Sequence, residues 1–258
     1  MLSTMPKSLM IIVLLLLTSV LTWGNGDRVA AAPRPSPTPV VFEAHDYGFP
    51  GPDRIAAGVT TMQIINKGRD LHHIQLVRLL DGKTAADFGT ALKADASRLP
   101  SWVKLMGGPN AVIPGGQSMA TMNLMEGDYL LICLIPDKKG VLHVALGMQK
   151  ALTVKGGKPT TVSEPKAGAT ITLNDFRFTM SRPIQAGMQT IGVMNQGTQP
   201  HEVVVVQLAG GASVSEFIKA IESDAAGSPP GKPIGGVVGL ERGDHAFFTA
   251  SSSRAVTG

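Results

Sequence analysis

Two long stretches of this chain repeat one another in a single register. "HDYGFPGPDRIAAGVTTMQIINKGRDLHHIQLVRLLDG" begins at His45 and "NDFRFTMSRPIQAGMQTIGVMNQGTQPHEVVVVQLAGG" begins at Asn174, an offset of 129 residues. At that offset Asp46 meets Asp175, Phe49 meets Phe178, Ile55 meets Ile184 and Gly58 meets Gly187. Asn66, Gly68 and His72 meet Asn195, Gly197 and His201, and the register runs on to Phe88 and Leu92 against Phe217 and Ile221. Identities held in one register over roughly fifty residues mark two copies of one folding unit. A chain of 258 residues has room for two such domains and short connections. The expected division is 1–32 as an export signal or anchor, 33–41 as a Pro-rich linker, 42–158 as the first domain, 159–168 as a linker and 169–258 as the second domain.

Within each copy the local signals are strands. "TTMQIIN" and "QTIGVMN" are short β-rich runs closed by Asn-x-Gly, a turn signal, and "HIQLVRL" and "EVVVVQL" follow as strands. The i, i+4 spacing of Phe88 and Leu92, and of Phe217 and Ile221, predicts one short helix laid across each unit. The first copy continues through "SMATMNLM", "GDYLLICLI" and "HVALGMQKALTV", which brings it to about seven strands, an antiparallel sandwich pattern. In the second copy "GGVVGLERGDHAFFTA" matches the region from Gly107 to about Asn123, and nothing corresponds to residues 124–154. The expected fold is all-β: two tandem Greek-key β-sandwich domains, each with a short inserted helix, the second lacking its last two strands. An unfinished sandwich exposes strand edges. The second unit is therefore expected to be less stable, or to complete itself by strand pairing with another chain; a truncated or frame-shifted reading frame is the other explanation.

The N-terminus sets the compartment. Lys7 precedes an uncharged apolar run over residues 9–23, short for a membrane span, followed by the small residues Ala30–Ala32 and "PRPSPTP". This reads as a secretory signal peptide, with an uncleaved anchor as the alternative, and predicts an exported protein that meets a membrane only through this segment. The formal charge is +4, but Lys and Arg are dispersed, with neither the basic stripe nor the interleaved aromatics that nucleic-acid binding needs. Export also limits the single cysteine, Cys133. With no partner in the chain it is buried and inert, paired to another chain, or a metal ligand.

"NKGRDLHHIQL" and "NQGTQPHEVVV" resemble the first-histidine segment of cupredoxins, the blue-copper β-sandwiches. "GDYLLIC" is similar to the strand that leads to their copper cysteine, and "HVALGM" to the His-x4-Met that completes their site. The resemblance spans residues 42–155 and the front two-thirds of the second unit. It implies one copper ion in the first domain, held by His72, Cys133, His143 and Met148, for electron transfer or copper carriage. Two imidazoles and a thiolate make a trigonal set, and a weak axial thioether tunes the potential. His72 is preferred to His73 because His201 matches it, and neighbours on a strand face opposite ways. The chain departs from the family in the nine residues between Cys133 and His143, where the family usually places a few. Pro136 and Gly140 are the turn formers able to fold that excess back.

The remaining candidates are weaker. His201 lacks a cysteine or His-x4-Met and is expected to make a structural hydrogen bond; His45 and His245 read as surface or turn residues. Met119, Met122 and Met125 read as core filling. A redox or copper-accepting protein is the expected partner. The alternative function is a metal-free tandem sandwich that binds an envelope partner. Two-domain copper oxidases share the layout, but the His-x-His pairs their second copper centre uses are absent, as are hydrolase, zincin and phosphate-loop motifs, so no enzyme is expected.

Overall fold

The computed structural model describes residues 38–95, 98–156, 163–222 and 229–252, and the backbone of one strand, β1 (Ile12–Leu16). The rest of the expected export segment, residues 33–37 and 159–162 of the linkers, residues 157–158 at the end of the first domain, and residues 253–258 lie outside the described residues. The first repeat supplies β2 (Val40–Ala44), β3 (Arg54–Ile55), β4 (Gly58–Asn66), β5 (Gln75–Leu79), α1 (Ala85–Ala94), β6 (Val103–Leu105), β7 (Gln117–Leu124), β8 (Gly127–Ile132) and β9 (Gln149–Val154). The second supplies β10 (Ala169–Asn174), β11 (Arg177–Met180), β12 (Gly187–Asn195), β13 (His201–Leu208), α2 (Val214–Glu222), β14 (Gly231–Leu240) and β15 (His245–Ser252). The chain is all-β apart from the two short helices, and among the described residues no helix is long and apolar enough to cross a membrane.

Both helices start where the sequence tells them to. Thr84 and Asp87 exchange side-chain and backbone hydrogen bonds as a capping box, and Ser213 with Glu216 does the same 129 residues later. The inward faces of the two helices bury Phe88 and Leu92, and Phe217.

In the first repeat a sheet ordered β3-β9-β8-β5-β6 faces β2, β4 and β7. Phe42, Met62 and Ile64 meet Leu76, Leu131 and Leu152 in the core between them. The outer face of β5 and β8 is also covered. Val77, Leu79, Leu130 and Ile132 form a second cluster under Phe88 and Leu92 of α1, with Trp102 at its edge. Burial on both faces is why "YLLIC" is continuously apolar rather than alternating. The period of two still operates: Tyr129, Leu131 and Cys133 face the inner core, while Leu130 and Ile132 face the helix.

The repeats do not stand apart as tandem beads. One seven-stranded sheet, ordered β11-β10-β12-β15-β7-β4-β2, runs through both, joined where β15 pairs antiparallel with β7 at Phe247–Thr121 and Phe248–Ala120. At the 129-residue offset Phe247 and Phe248 stand where Ser118 and Met119 stand, so equivalent edges meet about a local two-fold. The same symmetry lays residues 106–112 against β14, with bridges Met106–Leu240, Pro109–Val237 and Val112–Ile234. Asn110 Nδ2 donates to Val203 O at 2.9 Å, Leu105 N donates to Glu241 Oε1 at 3.0 Å, and Lys104 Nζ lies 3.1 Å from Asp244 Oδ1.

Among the described residues the last strand of the second repeat is β15. In the first repeat β5 lies between β6 and β8; in the second, β13 lies between β14 and β1. The β1 backbone takes the place beside β13 that β8 has beside β5, but in parallel. The methionine expectation needs correction. Met122 fills the core, whereas Met125, just past the end of β7, is 55% exposed and fills nothing.

Candidate metal centre

The site is assembled from three segments. β4 ends at Asn66, whose buried side chain organises the loop that follows. Asn66 Nδ2 donates to Asp70 O at 2.8 Å and Val112 O at 2.9 Å, and its Oδ1 accepts from Gly68 N at 2.9 Å. That loop delivers His72, whose backbone exchanges hydrogen bonds with Val112. β8 delivers Cys133 on the inner face by the parity described above.

The third segment folds the nine-residue spacer into a small hairpin. Pro136 bridges Leu142, Gly140 takes a positive φ of 78°, and Asp137 Oδ1 accepts from the backbone of Lys139 and Val141. His143 N then reaches Ile135 O at 2.9 Å, and Val144 N reaches Cys133 O at 2.8 Å. A single 3₁₀ turn, His143–Leu146, and Gly147 at φ 100° bring the chain to Met148, whose carbonyl accepts from Cys133 N. The long spacer therefore does not carry His143 away; it closes as a hairpin and returns it.

His72, Cys133 and His143 come together, with one donor atom from each lying within 4.8 Å of the others. Cys133 Sγ is 3.5 Å from His143 Nδ1 and 4.0 Å from His72 Nδ1, and the two rings are 5.0 Å apart. Met148 is adjacent through its backbone and fully buried. Exposures of 1% for His72 and 0% for Cys133, His143 and Met148 close the cluster to bulk water. Metal–nitrogen and metal–sulfur bonds of about 2.0–2.3 Å would set trigonal donors roughly 3.5–4 Å apart, and both sulfur–nitrogen separations fall in that range. The donor set therefore fits a soft, thiolate-binding ion. Among the described residues no other cluster of three His, Cys, Asp or Glu has this geometry.

The electrostatics follow from burial. Desolvation pushes the Cys133 thiol up to about 11, so without metal it is protonated at neutral pH, and ligation must release that proton. Burial also lowers His72, against the opposing pull of Asp46, and takes His73 down to about 3. His73 faces away from the cluster and accepts from Leu134 N at 2.8 Å, so it pins the cysteine strand rather than joining the donors.

Two residues beside the donors carry no ligand signal in the sequence, where Asp46 is only a repeat match to Asp175. Asp46 Oδ1 lies 3.3 Å from His72 Nε2, and Tyr47 meets the His143 ring edge-on at 5.8 Å. Asp46 is held down to about 2, first by the Arg69 N–H and then by its side chain. The second repeat has the same pair, Asp175 Oδ1 to His201 Nε2 at 2.9 Å, with no thiol near it. His201 thus makes a structural bond. His45 pairs with Glu43 and His245 with Glu164, both at the surface.

Gly68 has a meaning that Asn-x-Gly as a turn signal does not reveal. A Cβ there would stand 2.5 Å from both Asp46 Oδ1 and His72 Nε2, and one on Gly197 would meet Asp175 and His201 at the same distances. Glycine is present because the Asp–His pair crosses over its Cα.

The sandwich thus gathers two imidazoles and one thiol at one buried end, in the order His, Cys, His along the chain. Among solved structures the chain is similar to dithionite-reduced auracyanin from Roseiflexus castenholzii, at 18% identity over 47% of this chain and 99% of that one, with a TM-score of 0.33. It is similar also to auracyanin A, a blue copper protein from Chloroflexus aurantiacus, at 22% identity over 46% and 98% of the two chains, with a TM-score of 0.32. A copper-containing nitrite reductase from Thermus scotoductus covers 83% of this chain and 55% of its own at 11% identity, with a TM-score of 0.26. No protein-family model and no curated protein matches the chain.

Proposed function

We propose that His72, Cys133 and His143 bind one copper ion, with Met148 as axial thioether, and that the chain is an exported electron-transfer protein serving a redox partner. The observation that carries this is the buried convergence of one thiol and two imidazole nitrogens within 4.8 Å. Bound copper would supply a one-electron couple. The chain's part is to hold the donors. Cys133 is fixed by β8, His72 by its bridge to Val112, and His143 by its hairpin, so the donor spacing is set by the sandwich rather than by the ion. Burial of every donor keeps water out and opposes release of the ion, which supports electron transfer over carriage.

A metal-free tandem binding module is the second reading. It is favoured by the second repeat, where the Asn–Gly–Asp–His arrangement stands with no thiol.

Titration of the purified full chain with Cu(II), followed by visible absorption, tests the proposal beside Cys133→Ser. An intense thiolate-to-copper band at one equivalent, absent in the variant, is expected. Failure to bind either copper oxidation state stoichiometrically would leave the binding-module reading. Copper that passes readily to a chelator at neutral pH would turn the reading to carriage.

A further inference from the structure

One tight turn touches both imidazoles of the cluster from outside. His45 and Gly48 exchange backbone hydrogen bonds at 3.0 Å, which leaves Asp46 and Tyr47 at the tip of a two-residue turn. Asp46 presents its carboxylate to Nε2 of His72. A carboxylate that already accepts from Arg69 N and Nε carries no proton to give, so the His72 Nε2 is the donor and its Nδ1 is left as a bare lone pair facing Cys133. The next residue, Tyr47, is 44% exposed and lies edge-on to His143, whose Nε2 is buried and has no hydrogen-bond partner.

The backbone of Tyr47 is strained to reach that position. Its φ is 69°, a conformation in which a turn would ordinarily place glycine. Its counterpart Phe176 has φ 63°, but it is 81% exposed and makes no ring contact with a histidine among the described residues. The Asp–His half of the arrangement thus belongs to both repeats, while the aromatic covers an imidazole in the first alone.

We propose that residues 45–48 form an outer clasp for the metal centre: Asp46 positions His72 as the tautomer whose Nδ1 faces the thiol, and Tyr47 shuts water and small anions away from His143. The clasp rests on the copper reading above. Asp46 and Tyr47 are positioning residues, since neither offers an atom to the ion.

The test has a metal-free arm and a loaded arm, both on the full chain. In the first, ring-nitrogen NMR of the metal-free protein is expected to show His72 as the Nε2–H tautomer, and the near-isosteric Asp46→Asn to convert it to a mixture. In the second, the Cu(II) spectrum is followed during titration with sodium azide. Tyr47→Gly, which relieves the positive φ and so keeps the fold, is expected to respond at azide concentrations at least tenfold below those the wild-type chain needs. Tyr47→Phe, which keeps the ring, is expected to match wild type. A wild-type chain with no copper–thiolate band overturns the metal reading and the clasp with it. A normal band, combined with an unchanged His72 tautomer in Asp46→Asn or equal azide response in Tyr47→Gly, overturns the clasp alone.

Discussion

Gly68→Ala tests whether the Asp–His pair governs the loop that carries the first candidate ligand. Gly68 is not in the left-handed region, so alanine would fit its backbone without strain. Considered locally, the change should be neutral or stabilising by about 0.4–1 kcal/mol through the unfolded chain. The tertiary structure predicts the opposite sign. The new Cβ would stand 2.5 Å from Asp46 Oδ1 and His72 Nε2, against an ordinary contact of 3.4 Å or more. The pair has little room to give that distance back: His72 is 1% exposed and Asp46 is tied to Arg69. Overpacking of this kind costs about 1–3 kcal/mol, and the histidine–carboxylate hydrogen bond it displaces adds about 1 kcal/mol more.

The expected loss is therefore about 2–4 kcal/mol, a fall of roughly 1–2 M in the urea midpoint for a domain of this size. Trp102, the one tryptophan among the described residues, packs against Phe88 and reports the first repeat by fluorescence. In an Asp46→Ala background the penalty should shrink, because one of the colliding atoms is gone. Gly197→Ala, facing Asp175 and His201 at the same distances, should destabilise the second repeat similarly. A Gly68→Ala chain as stable as wild type, or more stable, would refute the reasoning.

Three further outcomes follow from the same contacts. Asn66→Ala removes one side chain from three backbone partners and should cost about 2–4 kcal/mol in the first repeat; a urea midpoint within error of wild type would contradict it. Phe248→Ala, at a buried position where the repeats share a sheet, should cost about 3–5 kcal/mol and separate Trp102 fluorescence from far-UV circular dichroism into two transitions; one coincident transition would show the repeats are not coupled there. The Thr198 hydroxyl and N–H, followed by His201, hold the Asp175 carboxyl below its ordinary 3.8. A depressed carboxylate stabilises the fold fully above the unfolded value and loses that stabilisation as pH falls below it. The second repeat should thus melt at progressively lower temperature below about pH 4, less steeply in Asp175→Asn; identical slopes for the two proteins would exclude this role.

His72, Cys133 and His143 were legible through the resemblance of their segments to cupredoxin motifs. The repeat register selects His72 over His73, whereas the continuously apolar "YLLIC" leaves the inner-face position of Cys133 to the structure. Asp46 was visible as a match to Asp175 and Tyr47 carried no signal, yet nothing local says that a turn some 26 residues before His72 will cross over Gly68 to meet it. The nine-residue spacer is the feature least specified by local sequence. Its closure depends on backbone bonds from His143 to Ile135 and from Val144 to Cys133, which no composition rule specifies.

The sequence by itself determined the duplicated all-β plan, the strand that leads to Cys133, the two short helices and the order of His72, Cys133 and His143 along the chain. Each of these is a matter of periodicity or of neighbours a few positions apart, and such preferences act before the chain is compact. Tertiary structure alone decided that the spacer returns His143 to the thiol, that one turn clasps both imidazoles, and that β7 and β15 merge two repeats into one sheet. Those outcomes depend on which loops close and which strand edges meet, interactions between residues from ten to more than a hundred positions apart that exist only once both partners are folded.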